Sequence, residues 1–175
     1  ILIGFWFGAF LEGAFGFGGP VAITAALLVG MGLKPLYAAG LCLIANTAPV
    51  AFGAVGIPII AMAGVVGVPA IEISSVAGHM LPPLSLFVPF FLVFLMDGFK
   101  GVKETWPALF VAGFSFAVVQ YLTATHLGPE LPDIASAVVS IAATTIFLKF
   151  WKPKNTFKFD EEVGGKQTIE AKQYS

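Results

Sequence analysis

Hydrophobic positions in this chain come in long runs, and polar residues fall in short clusters between or inside them. Residues 106–126 are apolar apart from Gln120 and scattered Ser and Thr, and residues 131–151 are apolar between Asp133 near one end and Lys149 near the other. A helix rises about 1.5 Å per residue, so crossing roughly 30 Å of hydrocarbon takes roughly 20 residues. Each run therefore predicts one crossing. Thr105 is placed to cap the first, with Pro107 in its first turn, where a missing N–H costs nothing. Trp151 is an interface anchor for the second. Residues 74–96 predict a third crossing, kinked or broken at Pro82-Pro83 and Pro89 because each proline removes a helical hydrogen bond.

Two further runs are interrupted. Residues 1–33 divide at residues 16–20 into arms of about 15 and 13 residues, each too short to span. They predict a re-entrant hairpin. Residues 37–66 are longer than one crossing needs and contain Ala45-Asn46-Thr47-Ala48-Pro49, followed by Gly53, Gly56 and Pro58, which predicts a broken helix. Unwound backbone at membrane depth persists only where protein buries it or where it lines a watery cavity. A pair of Gly/Pro-interrupted apolar segments thus points to the substrate site of a secondary transporter. The fold expected is an all-α polytopic membrane protein with a membrane domain over 1–153. Residues 154–175 are expected to be a polar cytoplasmic linker or tail with little fixed structure.

Composition agrees with the pattern. The chain is 58% hydrophobic and 11% charged, whereas a soluble domain carries roughly a quarter charged residues. A net charge of −1 leaves no field for nucleic acid, and all nine basic residues are lysines. Between residues 1 and 96 the only charges are Glu12, Lys34 and Glu72. The positive-inside rule assigns Lys100, Lys103 and the lysines from Lys149 onward to the cytoplasmic face. The lysine-free turn from His126 to Asp133 then lies outside, and Lys34 falls inside, so the hairpin opens toward the cytoplasm. Cys42 is single, which excludes an internal disulfide or a CxxC site; it reads as a small buried hydrophobe. With no HExxH, P-loop, hydrolase motif or metal-ligand cluster, neither an enzyme nor a cofactor is expected. The chain opens inside an apolar run without a charged n-region, which predicts no signal peptide and an internal piece of a larger protein.

Candidate chemistry gathers at the two interruptions. Gly13, Gly16, Gly18 and Gly19 permit a tight turn with positive φ, and Pro20 suits the first position of a new helix. That helix would aim free N–H groups and its positive dipole end at the turn, a seat for an anion. The spacing is not GxGxxG, because Val21 occupies the last glycine slot. The alternative role for these glycines is helix–helix packing. Asn46 and Thr47 could bond a substrate carboxylate or hydroxyl, or cap a half-helix. Glu12 is the only ionisable group deep in the first segment, and acids within spans are expensive enough to be functional by default. It could carry a proton or act as a hydrogen-bond partner of the glycine turn. His79, with Glu72 seven residues back on the same helical face, reads as an interface residue, and Gln120 as a helix–helix hydrogen bond.

At these residues the chain resembles the L-lactate permease family of bacterial 2-hydroxycarboxylate transporters. The likeness runs through Phe10-Leu11-Glu12-Gly13-Ala14-Phe15-Gly16-Phe17-Gly18-Gly19-Pro20-Val21-Ala22-Ile23 and through residues 41–53 to Gly56-Ile57-Pro58. Met96-Asp97-Gly98, residues 101–108 and Gly128-Pro129-Glu130-Leu131-Pro132-Asp133-Ile134 extend it. The resemblance implies a multi-pass secondary transporter of the bacterial inner membrane that moves lactate or glycolate with protons. The wider ion-transporter superfamily implies inverted repeats, re-entrant hairpins and a homodimer, by fold-level analogy. The expected partners are a small carboxylate, protons and the lipid bilayer. Any arginine for the substrate carboxylate must come from another part of the protein. The competing readings are a structural or channel-like membrane subunit and a transporter of another small anion.

Overall fold

The computed structural model describes residues 2–151, so the tail expected at 154–175 lies outside the described residues. Those residues form an all-α membrane protein, with no strand among them. A π-helical segment, Leu2–Phe7, runs into α1, Gly8–Phe15, and α2 follows as Gly19–Gly30. The two arms lie antiparallel. A Cβ on Gly4 would stand 3.8 Å from Leu28 Cδ1, and one on Gly8 would stand 3.7 Å from Thr24 Cγ2. The tip of this hairpin is left-handed at three successive residues, Gly16, Phe17 and Gly18, with φ of 65°, 57° and 73°. Glycine takes that conformation at no steric cost, which is why two of the three are glycine.

The second interrupted run forms α3, Pro35–Ala45, a 3₁₀ turn, Val50–Phe52, and α4, Gly53–Val66. Its two helical halves are bent by 71°. At the start of α4, Ala54, Val55 and Gly56 have φ of 48°, 55° and 76°. A β-branched residue in the left-handed region is a steric outlier. Such strain, of order 1–3 kcal/mol per residue, persists only where the surroundings over-determine it.

Helix α5, Ala70–His126, leaves the helical region once, at Gly98 with φ 62°. There the chain folds back on itself. Gly78 meets Ala124, Gly113 meets Leu86, and Ser74 Oγ donates to Ala124 O at 2.7 Å, pairs placed nearly symmetrically about Gly98. Each arm is about 28 residues, or about 42 Å, enough for one crossing. Of two sequence expectations, the break allowed for at the prolines does not occur, and the cap at Thr105 is overturned. The dihedrals stay helical through Pro82, Pro83 and Pro89, because proline's own φ is helical and only the N–H bond is forfeited. Thr105 caps nothing; its hydroxyl donates to Gly101 O at 2.7 Å, and Pro107 lies inside the helix. Lys100, Lys103 and Glu104 favour helix, so the expected loop shrinks to one left-handed glycine.

Helix α6, Pro132–Phe150, packs against the second arm of α5 and against α1. Ser140 Oγ donates to Ala112 O at 2.7 Å and receives bonds from Ser115 Oγ at 3.0 Å and Trp6 Nε1 at 2.7 Å. The apolar core beside this seam is built on Phe5, Trp6, Leu41, Leu92 and Phe116. Among the described residues α5 and α6 are long and apolar enough to cross a membrane, and the bent pair α3–α4 passes the same test if taken as one span.

The close crossing of the α5 arms is testable. A Cβ on Gly113 would lie 2.5 Å from Leu86 O, whereas one on Gly40 meets nothing within 4 Å. In the detergent-purified full-length protein, Gly113→Ala is expected to destabilise by about 1–3 kcal/mol, the usual cost of overpacking. Gly40→Ala should be neutral or slightly stabilising, since alanine is the better helix former. Equal melting temperatures for the two variants would contradict the crossing.

Candidate functional site

The two interruptions meet. A Cβ on Gly16 would stand 2.5 Å from Ala54 Cβ and 2.6 Å from Ala54 N, so the hairpin tip presses directly on the left-handed start of α4. The loop before α6 closes in from beyond, and a Cβ on Gly56 would lie 2.5 Å from Pro129 O. Glycine at these two positions satisfies positive φ and close backbone approach together.

Beside this contact lies a cavity of about 280 Å³, lined by Glu12, Phe17, Gly18, Asn46, Val50, Gly53, Ala54 and Pro58. Glu12 is 2% exposed and belongs to the last turn and a half of α1. Its carboxyl faces the backbone N–H of Gly18 and the side chain of Asn46. Gly53 leaves it room, because a Cβ there would be 2.8 Å from Glu12 Oε1. The cavity thus has one polar corner, a carboxyl beside an amide and a backbone donor, set against walls of Val50, Ala54 and Pro58.

The residues predicted to touch substrate divide by position. Gly18, the N-cap of α2, and the half-buried Asn46 line the cavity. Gly16 is buried against Ala54 and shapes the site from behind. Gly19 is exposed, with open space where its Cβ would go. Thr47 is exposed, and its hydroxyl donates to Ile44 O at 2.7 Å, a helix-end bond outside the cavity lining. Cys42 is buried and free. His79 lies at an exposed position, its Nδ1 2.7 Å from Ser75 O and its Nε2 3.5 Å from Tyr121 OH.

Behind the cavity Asp133 escaped the sequence reading, whereas Gln120 makes the helix–helix hydrogen bonds expected of it. Asp133 is 1% exposed and Gln120 fully buried. Gln120 Nε2 donates to Asp133 Oδ1 at 3.4 Å and to Ala48 O at 3.3 Å, while its Oε1 accepts from Ser85 Oγ at 2.6 Å. One amide therefore ties both arms of α5, the α3–α4 break and α6 together. Asp133 abuts α1, since a Cβ on Gly13 would stand 2.9 Å from Asp133 Cβ. In sequence it looks like an ordinary acid in a helix's first turn, complementing the dipole; only its burial marks it out. Glu12 Oε2 and Asp133 Oδ2 have no hydrogen-bond partner. No group of side chains suited to holding a metal occurs among the described residues.

Comparison with known proteins gives a consistent result. The family model described as L-lactate permease matches residues 1–175. The L-lactate permease of Bacillus subtilis (strain 168) is 63% identical over 170 residues, 97% of this chain and 30% of that protein. Glycolate permease GlcA of Escherichia coli (strain K12) is 67% identical over 156 residues, 89% of this chain and 28% of that protein. The L-lactate permease of the same strain is 59% identical over 161 residues, 92% of this chain and 29% of that protein. The chain spans about 30% of the length of these curated relatives. No solved structure matches.

The contact between the two breaks predicts an asymmetric response to alanine. Gly16→Ala combines a φ of +65° with a 2.5 Å approach to Ala54 and should destabilise the full-length protein by about 1–3 kcal/mol. Gly30→Ala, with nothing within 4 Å, should not. Thermal unfolding of the purified variants separates the two; a tolerant Gly16 would mean that the tip does not rest on α4.

Proposed function

The chain belongs to the L-lactate permease family, and on that premise we propose that it holds the substrate site of a secondary transporter. The transporter imports lactate- or glycolate-type 2-hydroxymonocarboxylates with protons across the bacterial inner membrane. The observation that carries this reading is the cavity where Glu12, Gly18 and Asn46 converge at the meeting point of two broken segments.

Chemistry supplies the coupling. The Gly18 N–H and the Asn46 side chain face the Glu12 carboxyl, and the same two groups are those a substrate carboxylate would use. An ionised Glu12 competes for them and repels the anion; a protonated Glu12 frees them and can itself bond the substrate. Anion and proton therefore favour one another's binding, which is the reciprocal linkage a symporter needs. The dipole of α2, whose N-cap is Gly18, adds attraction for the anion. Val50, Ala54 and Pro58 offer an apolar wall for the methyl group of lactate. Gly16 supports this arrangement by packing, and Gly19 and Thr47 flank it.

Uptake of labelled lactate and glycolate by membrane vesicles containing the full-length protein tests the reading. Asn46→Ala and Gly18→Leu should each cut uptake by about tenfold or more, the scale of a lost charge-assisted hydrogen bond. Glu12→Gln should abolish accumulation driven by a pH gradient. Accumulation that still follows the gradient in Glu12→Gln would remove Glu12 from the coupling. Passive equilibration without accumulation in the unaltered protein would instead favour a channel.

A further inference from the structure

The proposed function uses Glu12 and leaves Asp133 without a task, although the latter is the more enclosed carboxyl. We infer that Glu12 and Asp133 act as a two-carboxyl site holding a single shared proton, with Gln120 orienting Asp133. The inference rests on the reading of Glu12 given above and adds a second proton-holding residue to it.

Geometry supports the pair. Gly13, the residue after Glu12, packs so closely on α6 that its Cβ would meet Asp133 Cβ at 2.9 Å and Ile134 N at 3.1 Å. That contact brings α1 and the first turn of α6 together, one residue along from Glu12. Both side chains are at least 98% buried, and each keeps one oxygen, Glu12 Oε2 and Asp133 Oδ2, without a partner. Glu12 is faced by Gly18 N–H and Asn46, and Asp133 by Gln120, with Gly13 of α1 packed on its Cβ. Neither is paired with a lysine or histidine among the described residues. Two carboxylates buried on either side of this contact would repel one another and be poorly solvated, whereas one proton held by either removes one charge and supplies a donor.

Gln120 decides which Asp133 oxygen is available. Ser85 Oγ donates to Gln120 Oε1 at 2.6 Å, so the amide nitrogen is turned toward Asp133 Oδ1 and Ala48 O. Oδ1 is then engaged as an acceptor, and Oδ2 is left for the proton. Glu12 borders the cavity and Asp133 does not. The proton can therefore rest on Asp133 while Glu12 is ionised, and return to Glu12 as the substrate anion arrives. No bond other than O–H is made or broken.

The test uses the full-length protein in proteoliposomes and compares pH-driven accumulation with lactate–lactate exchange, which moves no net proton. Asp133→Asn keeps the side-chain shape and should reduce accumulation about tenfold more than exchange, within the usual range of a coupling free energy. Asp133→Glu should recover coupling. The infrared band of a protonated carboxyl should change in Asp133→Asn and again in Glu12→Gln. A purely structural Asp133 would lower both activities equally in the Asn and Glu variants, and that result overturns the inference. An infrared band identical in Asp133→Asn and the unaltered protein also overturns it, as it would if a cation from elsewhere in the protein paired with Asp133. Coupled Asp133→Asn with uncoupled Glu12→Gln rejects only the pair. Uncoupled Asp133→Asn with coupled Glu12→Gln rejects the reading of Glu12 itself.

Discussion

Backbone amides cannot be left bare in hydrocarbon, and every unusual feature of this chain answers to that constraint. The hairpin tip at residues 16–18 and the break between α3 and α4 each interrupt a helical ladder inside an apolar run. Neither could lie open to lipid. The fold sets one against the other, with Gly16 touching Ala54 and the following loop closing over Gly56. What remains between them is a small cavity with a polar corner, and the interruptions that would destabilise an isolated helix become the walls of a site. The left-handed Ala54 and Val55 fit this account: their strain is held in place by the hairpin and by the loop at Pro129.

The rest of the structure braces that contact through buried polar seams. Apolar surface does little to drive helices together in lipid, so packing of small residues and interhelical hydrogen bonds set the arrangement. Gly78 and Gly113 let the arms of α5 approach backbone to side chain and backbone to backbone. Ser140 joins α6 to α5 and to the first segment, through Ala112, Ser115 and Trp6. Gln120 does the same for the break itself, through the carbonyl of Ala48. Site and scaffold are thus connected by hydrogen bonds that have few alternatives in a dry interior.

Much of this was legible in the residues. Run lengths and the Gly/Pro interruptions pointed to helices, a hairpin and a break, because span length and backbone satisfaction act locally along the chain. The places of Gly18 and Asn46 at the two interruptions followed from the same local logic, and both line the cavity. Other features did not follow. Pro82, Pro83 and Pro89 pointed to a kink or a break, and the helical dihedrals through them leave no break. Thr105 had the form of a cap, but one left-handed glycine upstream reversed the chain and left it mid-helix. Gly19 and Thr47 sit next to cavity residues in sequence and are not among those lining the cavity, because adjacent residues on a turn point in different directions.

Composition and spacing alone set the solvent the chain is made for and the places where its helices must yield. That the two interruptions touch, and that Asp133 abuts α1 with Gln120 joining it to the break, came from folding alone. Those pairings join segments far apart along the chain, the two interruptions to one another and the start of α6 to α1. They depend on which helix faces crowd together in three dimensions, and no local preference records that.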